Sequence, residues 1–315
     1  MSFHQLGIDI GGTASRWVLC DASGHELARG ATSGATGHVF NPVARERLQN
    51  ALTAIATDVR KAVPAVQGVA AGITGFGNVV EAEVKQMLAT TFEVAQDNLI
   101  VVDDIMLAYA AAFAPEEGHL VSAGTGSIGL HLGLEAGYVR VGGRGILIDD
   151  AGSGSWIALR ALDEAFRHLD RHGDFTGIQA LADAIFAITG GSEWQSVRQF
   201  VYGGDRGEIG ALATGVAKAA AAGDALALRI LGDAGRELAA LASALVARTK
   251  ARPIGFIGGV LKLHPVVTEA ILAQLPGHDV RFPTVDAALA AASMHLEGFA
   301  DWRATFASLS SGTRS

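Results

Sequence analysis

The hydrophobic positions near the start of the chain fall into short runs that glycine-containing turns interrupt. Leu6–Thr13 and Arg16–Cys20 are followed by the turn Asp21–Gly24 and by His25–Gly30. Short apolar runs separated by glycine turns are typical of strands in an antiparallel meander, whereas an amphipathic helix spaces its apolar residues three to four positions apart. The pattern therefore predicts three consecutive strands between residues 6 and 30.

The next stretch of chain alternates between helical spacing and buried-strand runs. After Asn41, which with the following proline is a typical helix start, Val43, Leu48, Leu52 and Ile55 recur at helical spacing. The predicted elements are a helix over 41–62, a strand over Val66–Ile73, a helix over 79–91, a strand over Leu99–Val102 and a helix over Asp104–Phe113.

The opening pattern then occurs a second time, over Leu120–Leu132 and Tyr138–Gly143. At an offset of 113 positions, Gly11 corresponds to Gly124 and Gly24 to Gly137. Chance similarity between two glycine-rich stretches is the alternative, but both copies have the same order of strands and turns. We interpret the pattern as one weak internal duplication rather than as a repeat array.

From Ser155 onward the chain is mainly helical. The predicted helices are Trp156–Leu169, Ile178–Ile188, Glu193–Tyr202, Ile209–Ala222, Ala225–Thr249 and a final helix Val285–Gly298. A strand over Arg252–Val260 ends in a Gly-Gly turn, and Ser308–Ser315 is a polar tail that we expect to be frayed.

Composition narrows the functional class. Half of the 315 residues are hydrophobic and 18% are charged, so the chain can bury a core and is not disordered. The net charge of −8 leaves no basic excess for a nucleic-acid backbone. The single cysteine, Cys20, excludes an internal disulfide. We expect neither a signal peptide nor a membrane helix, and therefore a cytoplasmic protein without nucleic-acid or membrane partners.

The first glycine turn is a candidate phosphate and metal site. Asp9 lies at the end of the first strand and is followed by Gly11, Gly12 and Thr13. Glycines let backbone N–H groups approach an anion, and the Thr13 hydroxyl adds a donor. A carboxylate beside such a turn can hold Mg²⁺ with the help of water. An ordinary β-turn with a solvated aspartate is the alternative.

The corresponding turn of the second copy contains Gly124, Thr125, Gly126 and Ser127. The segment 124–129 also matches the dinucleotide fingerprint G-x-G-x-x-G, which requires a helix directly after the glycines. Here the following residues alternate like a strand, so we reject that interpretation. A pair of phosphate-binding hairpins accounts for both turns.

Adjacent carboxylates follow the strand Leu99–Val102. Asp103 and Asp104 lie where an α/β sheet binds ligands, beyond the carboxyl end of a strand. One of the two could accept a proton from a substrate, and the other could cap the helix that begins there. A capping role alone is the alternative, and the two roles are compatible.

Two further glycine-rich segments complete the set of candidates. The loop Gly142–Trp156 contains Asp149 and Asp150 and suits the recognition of hydroxyl groups. Gly258 and Gly259 end a predicted strand and could let a flat base approach the backbone.

These motifs, in this order, resemble the sugar kinase/Hsp70/actin superfamily, and more narrowly the BadF/BadG/BcrA/BcrD-type ATPases and their N-acetylglucosamine kinases. The resemblance extends from about residue 6 to residue 298. It implies an α/β fold of two ribonuclease H-like (actin-like ATPase) domains with a central cleft, each a mixed five-stranded sheet flanked by helices. The implied lobes are 1–115 with 285–303, and 116–284, followed by a polar tail over 304–315.

The resemblance also implies a reaction, the ATP-dependent phosphorylation of an amino sugar at O6 with Mg²⁺. Asp104 would be the catalytic base, with Asp103 as the alternative, and Asp9 would orient the metal. The implied phosphate and nucleotide contacts are Gly11, Gly12, Thr13, Gly124, Thr125, Gly126, Ser127, Gly258 and Gly259. The implied sugar contacts are Thr74, Gly75, Asp104, Gly143, Gly145, Asp150 and Gly154. Such kinases are often homodimers.

Two other roles occur among proteins with this ATPase fold. An activator of a radical dehydratase would need cysteines to bridge an iron–sulfur cluster, and Cys20 is alone. A sugar-sensing regulator would not need intact aspartates, and this chain retains them. We therefore expect a sugar kinase that acts on N-acetylglucosamine or glucosamine.

Overall fold

The computed structural model describes residues 3–135 and 137–311. The described residues form two compact units. Unit 1 contains 3–117, 132–138 without residue 136, and 284–311, and unit 2 contains 118–131 and 139–283. No helix in the described part of the chain is both long enough and apolar enough to cross a bilayer.

The sheet of unit 1 has five strands in the order β3-β2-β1-β4-β5. Strand β1 pairs antiparallel with β2 and parallel with β4, and β4 pairs parallel with β5. Because Ile10 pairs with Ile73 and Gly72 with Val102, the carboxyl ends of β1, β4 and β5 lie side by side. The strands are β1 (Gln5–Ile10), β2 (Ala14–Cys20), β3 (Glu26–Ser33), β4 (Gly68–Ile73) and β5 (Leu99–Val102).

The helices of unit 1 are α1 (Pro42–Ala62), α2 (Glu81–Phe92), α3 (Asp104–Ala112), α10 (Ala287–Ser293) and α11 (Ala300–Ser311). The first four contact the strands, and α11 contacts α3, where the Trp302 and Tyr109 ring centroids lie 5.6 Å apart. Helix α10 lies directly against β1, where a Cβ atom at Gly7 would overlap the backbone of Ala288 and Ala292. Small residues on both elements therefore permit this close contact.

The end of the chain differs from the prediction. The final helix expected over Val285–Gly298 is only Ala287–Ser293, and a second helix, α11, follows it. Residues 304–311, expected to belong to a polar tail, form the last two thirds of α11, in which Phe306 is buried and its ring centroid lies 5.2 Å from that of Trp302. This apolar pair at i, i+4 holds the segment helical. Residues 312–315 lie outside the described residues.

The sheet of unit 2 repeats the pattern with the order β10-β9-β6-β7-β8. Strand β6 pairs antiparallel with β7 and parallel with β9. Since Ser122 pairs with Ile257, the carboxyl ends of β6 and β9 are adjacent. The strands are β6 (His119–Ala123), β7 (Ser127–Gly133), β8 (Gly137–Gly142), β9 (Ile254–Ile257) and β10 (Val280–Arg281).

The two copies of the duplicated pattern keep the same register. Strand β2 begins at Ala14 and ends at Cys20, and β7 begins at Ser127 and ends at Gly133, so both ends differ by the predicted 113 positions. Each unit therefore opens with a strand, a glycine turn and two further strands. The predicted α/β class with a mixed five-stranded sheet in each half is confirmed.

Six helices of unit 2 surround its sheet and core. They are α4 (Gly154–His172), α5 (Gln179–Thr189), α6 (Trp194–Gly203), α7 (Arg206–Ala221), α8 (Ala225–Arg248) and α9 (Pro265–Gln274). Helix α9 was not predicted, although His264-Pro265 is a helix start and the His264 side chain accepts the Val266 amide. Its buried residues, Val267 and Ile271, pack into the unit 2 core.

Candidate active site

Three strand ends in unit 1 bring the predicted carboxylates together. Asp9 is the penultimate residue of β1, Thr74 directly follows β4, and Asp103 directly follows β5. Asp104 begins α3, and Asp103 is the residue before that helix, although its side chain makes no capping hydrogen bond. The capping role considered for this pair is therefore not performed by the Asp103 carboxyl group.

Asp104 has the surroundings of a proton acceptor. Burial raises the pKa of Asp104 well above its ordinary value, and a hydrogen bond and repulsion from Asp103 raise it further. The Ile105 amide donates to Oδ1 at 2.8 Å, and the Thr74 hydroxyl is a second partner; both oppose that rise. A carboxylate whose pKa is raised toward the working pH is a better general base than a solvated one.

Asp9 is the second perturbed carboxyl group of unit 1. Burial raises the pKa of Asp9 to about 6; the nearby Asp104 and Asp286 add to the rise, and Arg16 on the neighbouring strand opposes it. A divalent cation would relieve this repulsion. The described residues contain no group of three or more metal-ligating side chains, so they form no dedicated metal cage. One carboxylate beside bound phosphates is a common Mg²⁺ arrangement, and Asp9 fits it.

The glycine turn after β1 presents unoccupied backbone donors. The Gly11 amide donates to Ala14 O at 3.1 Å, and Gly11 O accepts the Ala35 amide at 3.1 Å. Within the described residues, the amides of Gly12 and Thr13 donate no hydrogen bond, and both residues are exposed. Two successive free amides at a tight turn form a concavity suited to an anion such as phosphate.

The loop after β3 borders this turn, and sequence reasoning assigned no site residue to it. The Gly37 amide donates to Thr74 O at 2.9 Å, and a Cβ atom at Gly34 would overlap the backbone of Gly12. The exposed His38 ring lies against Gly75, whose φ of 77° favours glycine. His38 is therefore beside the predicted sugar contacts Thr74 and Gly75.

The second glycine turn, in unit 2, is anchored by helix α4. Gly124 O accepts the Gly154 amide at 2.9 Å, and Thr125 O accepts the amide and the hydroxyl of Ser155 at 3.2 and 2.8 Å. The Gly124 amide donates to Gly126 O at 2.9 Å. In the described chain the amides of Thr125 and Gly126 donate no hydrogen bond, so they correspond to the free amides of Gly12 and Thr13.

Asp150 is buried next to this turn, and donors surround its carboxylate. Arg206 Nη2 lies 2.7 Å from Oδ2, and the backbone amides of Ser127 and Gly145 are further partners. Burial raises the pKa of Asp150, while Arg206 and the two amides oppose the rise. Asp150 thus ties the predicted sugar loop to the phosphate turn.

Arg206 was not predicted as a site residue. It is the first residue of α7, and it meets Asp150 across 56 positions of sequence. No local motif around Arg206 signals this contact, because the side chain is brought to the turn by the packing of α7 on α4.

The remaining predicted glycines also lie at the turns of unit 2. Gly258 has a φ of 113°, and a Cβ atom there would overlap the Ala123 carbonyl group, so only glycine fits between β6 and the end of β9. Gly259 begins a short 3₁₀ helix. Gly143 and Gly145, with φ of 67° and 93°, shape the loop that leads to Asp150.

The predicted site residues therefore form two groups, one in each unit. The unit 1 group combines a candidate base, a candidate metal carboxylate and a candidate phosphate turn. The unit 2 group combines a second candidate phosphate turn, the loop that carries Asp150, and the glycines at the end of β9. Such groups can accept a proton, hold a divalent cation and bind phosphate.

A known kinase matches part of the chain in sequence. Over 142 residues the chain is 34% identical to an N-acetylmuramic acid/N-acetylglucosamine kinase of Clostridium acetobutylicum. The aligned residues are 44% of this chain and 45% of that protein. The alignment thus spans less than half of the relative's length.

Solved structures match nearly the whole chain. A proposed N-acetylglucosamine kinase of Chromobacterium violaceum is 25% identical, with a TM-score of 0.73 over 92% of this chain and 98% of that one. A ROK family glucokinase of Streptomyces griseus, solved with glucose and AMPPNP, is 16% identical, with a TM-score of 0.56 over 92% and 97% of the two chains, and shows the shared fold.

A sequence profile of a protein family also matches most of the chain. The profile of the BadF/BadG/BcrA/BcrD ATPase family covers residues 6–292, which include both glycine turns, Asp104 and the Gly258-Gly259 turn. The resemblance inferred from the motifs is confirmed: the chain belongs to the BadF/BadG/BcrA/BcrD ATPase family.

Proposed function

We propose that this chain is an ATP-dependent sugar kinase that transfers the γ-phosphoryl group of ATP to O6 of an amino sugar, N-acetylglucosamine or glucosamine. The observation that carries the proposal is the position of Asp104. This half-buried carboxyl group with a raised pKa lies at the strand ends of unit 1, as do Asp9 and the turn at Gly12 and Thr13, whose amides donate no hydrogen bond within the described residues.

Each group has a defined part in a direct in-line transfer. As the oxygen of the sugar hydroxyl attacks the γ-phosphorus, its proton passes to the Asp104 carboxylate, and the bond from the γ-phosphorus to the β,γ-bridging oxygen breaks and releases ADP. The free amides of the two glycine turns bind phosphate oxygens and offset their charge. Asp9 would hold Mg²⁺, which supplies charge neutralisation at the phosphates when bound. Positioning and electrostatics account for most of the catalysis in this class of reaction.

Two relatives support the choice of substrate class. The names of the Clostridium and Chromobacterium proteins both include N-acetylglucosamine, and the latter matches nearly the whole chain. An amino sugar is therefore a better first substrate than a simple hexose. The alternative of a dehydratase activator is disfavoured, because Cys20 is buried within β2 and is the only cysteine.

The test is an ADP-release assay with ATP, Mg²⁺ and a panel of sugars. The panel contains N-acetylglucosamine, glucosamine, N-acetylmuramate, glucose and buffer alone, and ³¹P–¹H NMR identifies the phosphorylated carbon. We expect sugar-dependent ADP release with an amino sugar and a 6-phosphate product. ATP binding without sugar-dependent turnover on any member of the panel would contradict the proposal.

A further inference from the structure

The first turn of helix α7 places a cation directly over the second glycine turn. A Cβ atom at Gly126 would overlap Arg206 Nη2, so the guanidinium group covers the face of Gly126 that any other residue would fill. The Thr125 and Gly126 amides beside it donate no hydrogen bond within the described residues. Charged and neutral donors therefore lie together at one turn.

The start of α7 is fixed rigidly against this turn. Asp205 caps the helix by accepting the amides of Gly207 and Glu208 at 2.8 and 3.0 Å, and the Glu208 carboxylate accepts the Asp205 amide at 2.8 Å. A Cβ atom at Gly210 would be 3.4 Å from Thr125 Cγ2, so the helix backbone approaches the turn closely. The position of Arg206 is thus set by backbone packing.

The electrostatic setting leaves Arg206 with capacity to bind a further anion. Asp150 already receives two backbone amides, and its side chain is only 3% exposed. The Arg206 side chain is 49% exposed, and one of its five N–H donors accounts for the bond to Asp150. A cation in the first turn of a helix is opposed by the helix dipole. An anion at the turn would relieve that cost.

We propose that Arg206 binds the γ-phosphate of ATP and stabilises the charge on the phosphoryl group as it is transferred. This inference rests on the proposed kinase function. Arg206 touches both the phosphate turn, at Gly126, and the loop of Asp150, which is a predicted sugar contact. The group that passes from nucleotide to sugar is the γ-phosphoryl group, so a cation that touches both elements is suited to that phosphate. A guanidinium group can bind it through two parallel hydrogen bonds.

Calorimetry of nucleotide binding without sugar tests the assignment. The β,γ-imido analogue of ATP and ADP are each titrated, with Mg²⁺, into the wild type, Arg206→Met and Arg206→Lys. Arg229→Met is the matched control, because Arg229 is an exposed arginine of unit 2 that pairs with Glu164 at 3.3 Å. Circular dichroism verifies that each variant is folded.

We expect Arg206→Met to bind the ATP analogue ~10-fold or more weakly, the scale of a charge-assisted hydrogen bond, and to bind ADP nearly as wild type does. Arg206→Lys should bind the ATP analogue more tightly than Arg206→Met does but less tightly than the wild type. Arg229→Met should bind it as tightly as the wild type. Equal losses for both nucleotides would overturn the γ-phosphate assignment. Unchanged affinity for both would overturn any phosphate contact by Arg206.

The double variant Asp150→Asn/Arg206→Met distinguishes two roles of Arg206, which are phosphate binding and the neutralisation of Asp150 in an ion pair. If Arg206 serves only to neutralise Asp150, removing both charges should restore the affinity for the ATP analogue, and the proposal fails. If Arg206 binds phosphate, the affinity stays low. A wild type that binds nucleotide but phosphorylates no sugar would contradict the kinase function while leaving this binding test valid.

Discussion

The two glycine turns share a backbone plan and differ in the charges around them. Each follows the first strand of its copy, and each has two successive amides that donate no hydrogen bond to any described residue, at Gly12 and Thr13 in unit 1 and at Thr125 and Gly126 in unit 2. Asp9, Asp103, Asp104 and Asp286 accompany the unit 1 turn. Burial raises the pKa values of Asp9 and Asp104, and repulsion adds to the rise, from Asp104 and Asp286 on Asp9 and from Asp103 on Asp104. The unit 2 turn is accompanied by Asp150 and its partner Arg206.

The difference shows how one duplicated scaffold supports two chemical roles. The amides come from the turn itself, so duplication supplies them twice. Asp9 lies on the strand that leads into its turn, and the other charges come from residues elsewhere in each unit, which differ between the copies. In the proposed kinase, unit 1 would attract a cation and remove a proton, while unit 2 would bind phosphate through amides and a guanidinium group.

Asp104→Asn should produce the largest change in activity. The amide cannot accept the proton of the sugar hydroxyl, so kcat should fall by ~10²-fold or more, the scale of a positioned general base. Nucleotide binding should remain nearly unchanged, because Asp104 is at a strand end rather than in a turn with free amides. Steady-state kinetics and calorimetry measure the two quantities.

Asp103→Asn is the matched control for Asp104. It removes the neighbouring charge that helps to raise the pKa of Asp104 and leaves the Asp104 carboxylate in place. We expect a smaller loss of kcat than for Asp104→Asn. An inactive Asp103→Asn enzyme beside a nearly active Asp104→Asn enzyme would transfer the role of base to Asp103.

Alanine substitutions at the two turns test their difference directly. A Cβ atom at Gly126 would displace the end of the Arg206 side chain, whereas one at Gly12 meets no atom within 4 Å. Neither glycine has a positive φ, so both backbones accept alanine. We expect Gly126→Ala to raise the KM for ATP ~10-fold through the displaced cation, and Gly12→Ala to have a clearly smaller effect. Equal effects of the two substitutions would remove the asymmetry that we infer between the turns.

The sequence predicted those parts of the site that depend on local geometry. The glycine turns and the Asp103-Asp104 pair sit at strand ends, and strand runs bounded by glycine or aspartate are recognisable without knowledge of the fold. Arg206 could not be found in this way, since its partners Asp150 and Gly126 lie 56 and 80 positions away and only helix packing brings it to them.

The error at the end of the chain has a similar cause. The helix-forming residues Met294, Leu296 and Glu297 follow Ser293, so the sequence alone favours one long helix. In the structure the Arg303 guanidinium donates to Met294 O and Leu296 O at 2.7 and 2.6 Å. These bonds satisfy carbonyl groups at the break between α10 and α11. A side chain seven to nine residues later thus stabilises the interruption.

The Mg²⁺ requirement of the reaction at acidic pH tests whether Asp9 holds the metal. Burial and the nearby Asp104 and Asp286 raise the pKa of Asp9 to about 6, and Mg²⁺ binds only the ionised carboxylate. Protons and Mg²⁺ therefore compete. As the pH falls below about 6, the Mg²⁺ concentration that gives half the maximal rate should increase, and the increase should approach ~10-fold for each pH unit. Asp9→Ala should need more Mg²⁺ at pH 8 and should lose this pH dependence. A Mg²⁺ requirement that is constant from pH 5 to 8 in the wild type would contradict the assignment.

The smallest expected effect is a gain in stability when the charge of Asp9 is removed. The folded-state pKa of Asp9, about 6, exceeds the ordinary value of 3.8, so the folded protein binds the proton more tightly than the unfolded chain. Stability from this group is therefore fully present below about pH 4 and is lost as the pH rises through 6. The ionised Asp9 carboxylate destabilises the folded protein by at most about 3 kcal/mol. Asp9→Asn should therefore raise the Tm by a few degrees at pH 7.5 and leave it unchanged at pH 4. Asp97→Asn, at an exposed carboxylate of the same unit, is the control and should show no such dependence on pH. If Asp9→Asn melts no higher than wild type at pH 7.5, the ionised carboxylate of Asp9 does not destabilise the folded protein in the absence of metal. The inferred difference in charge between the two turns would then have no measurable effect on stability.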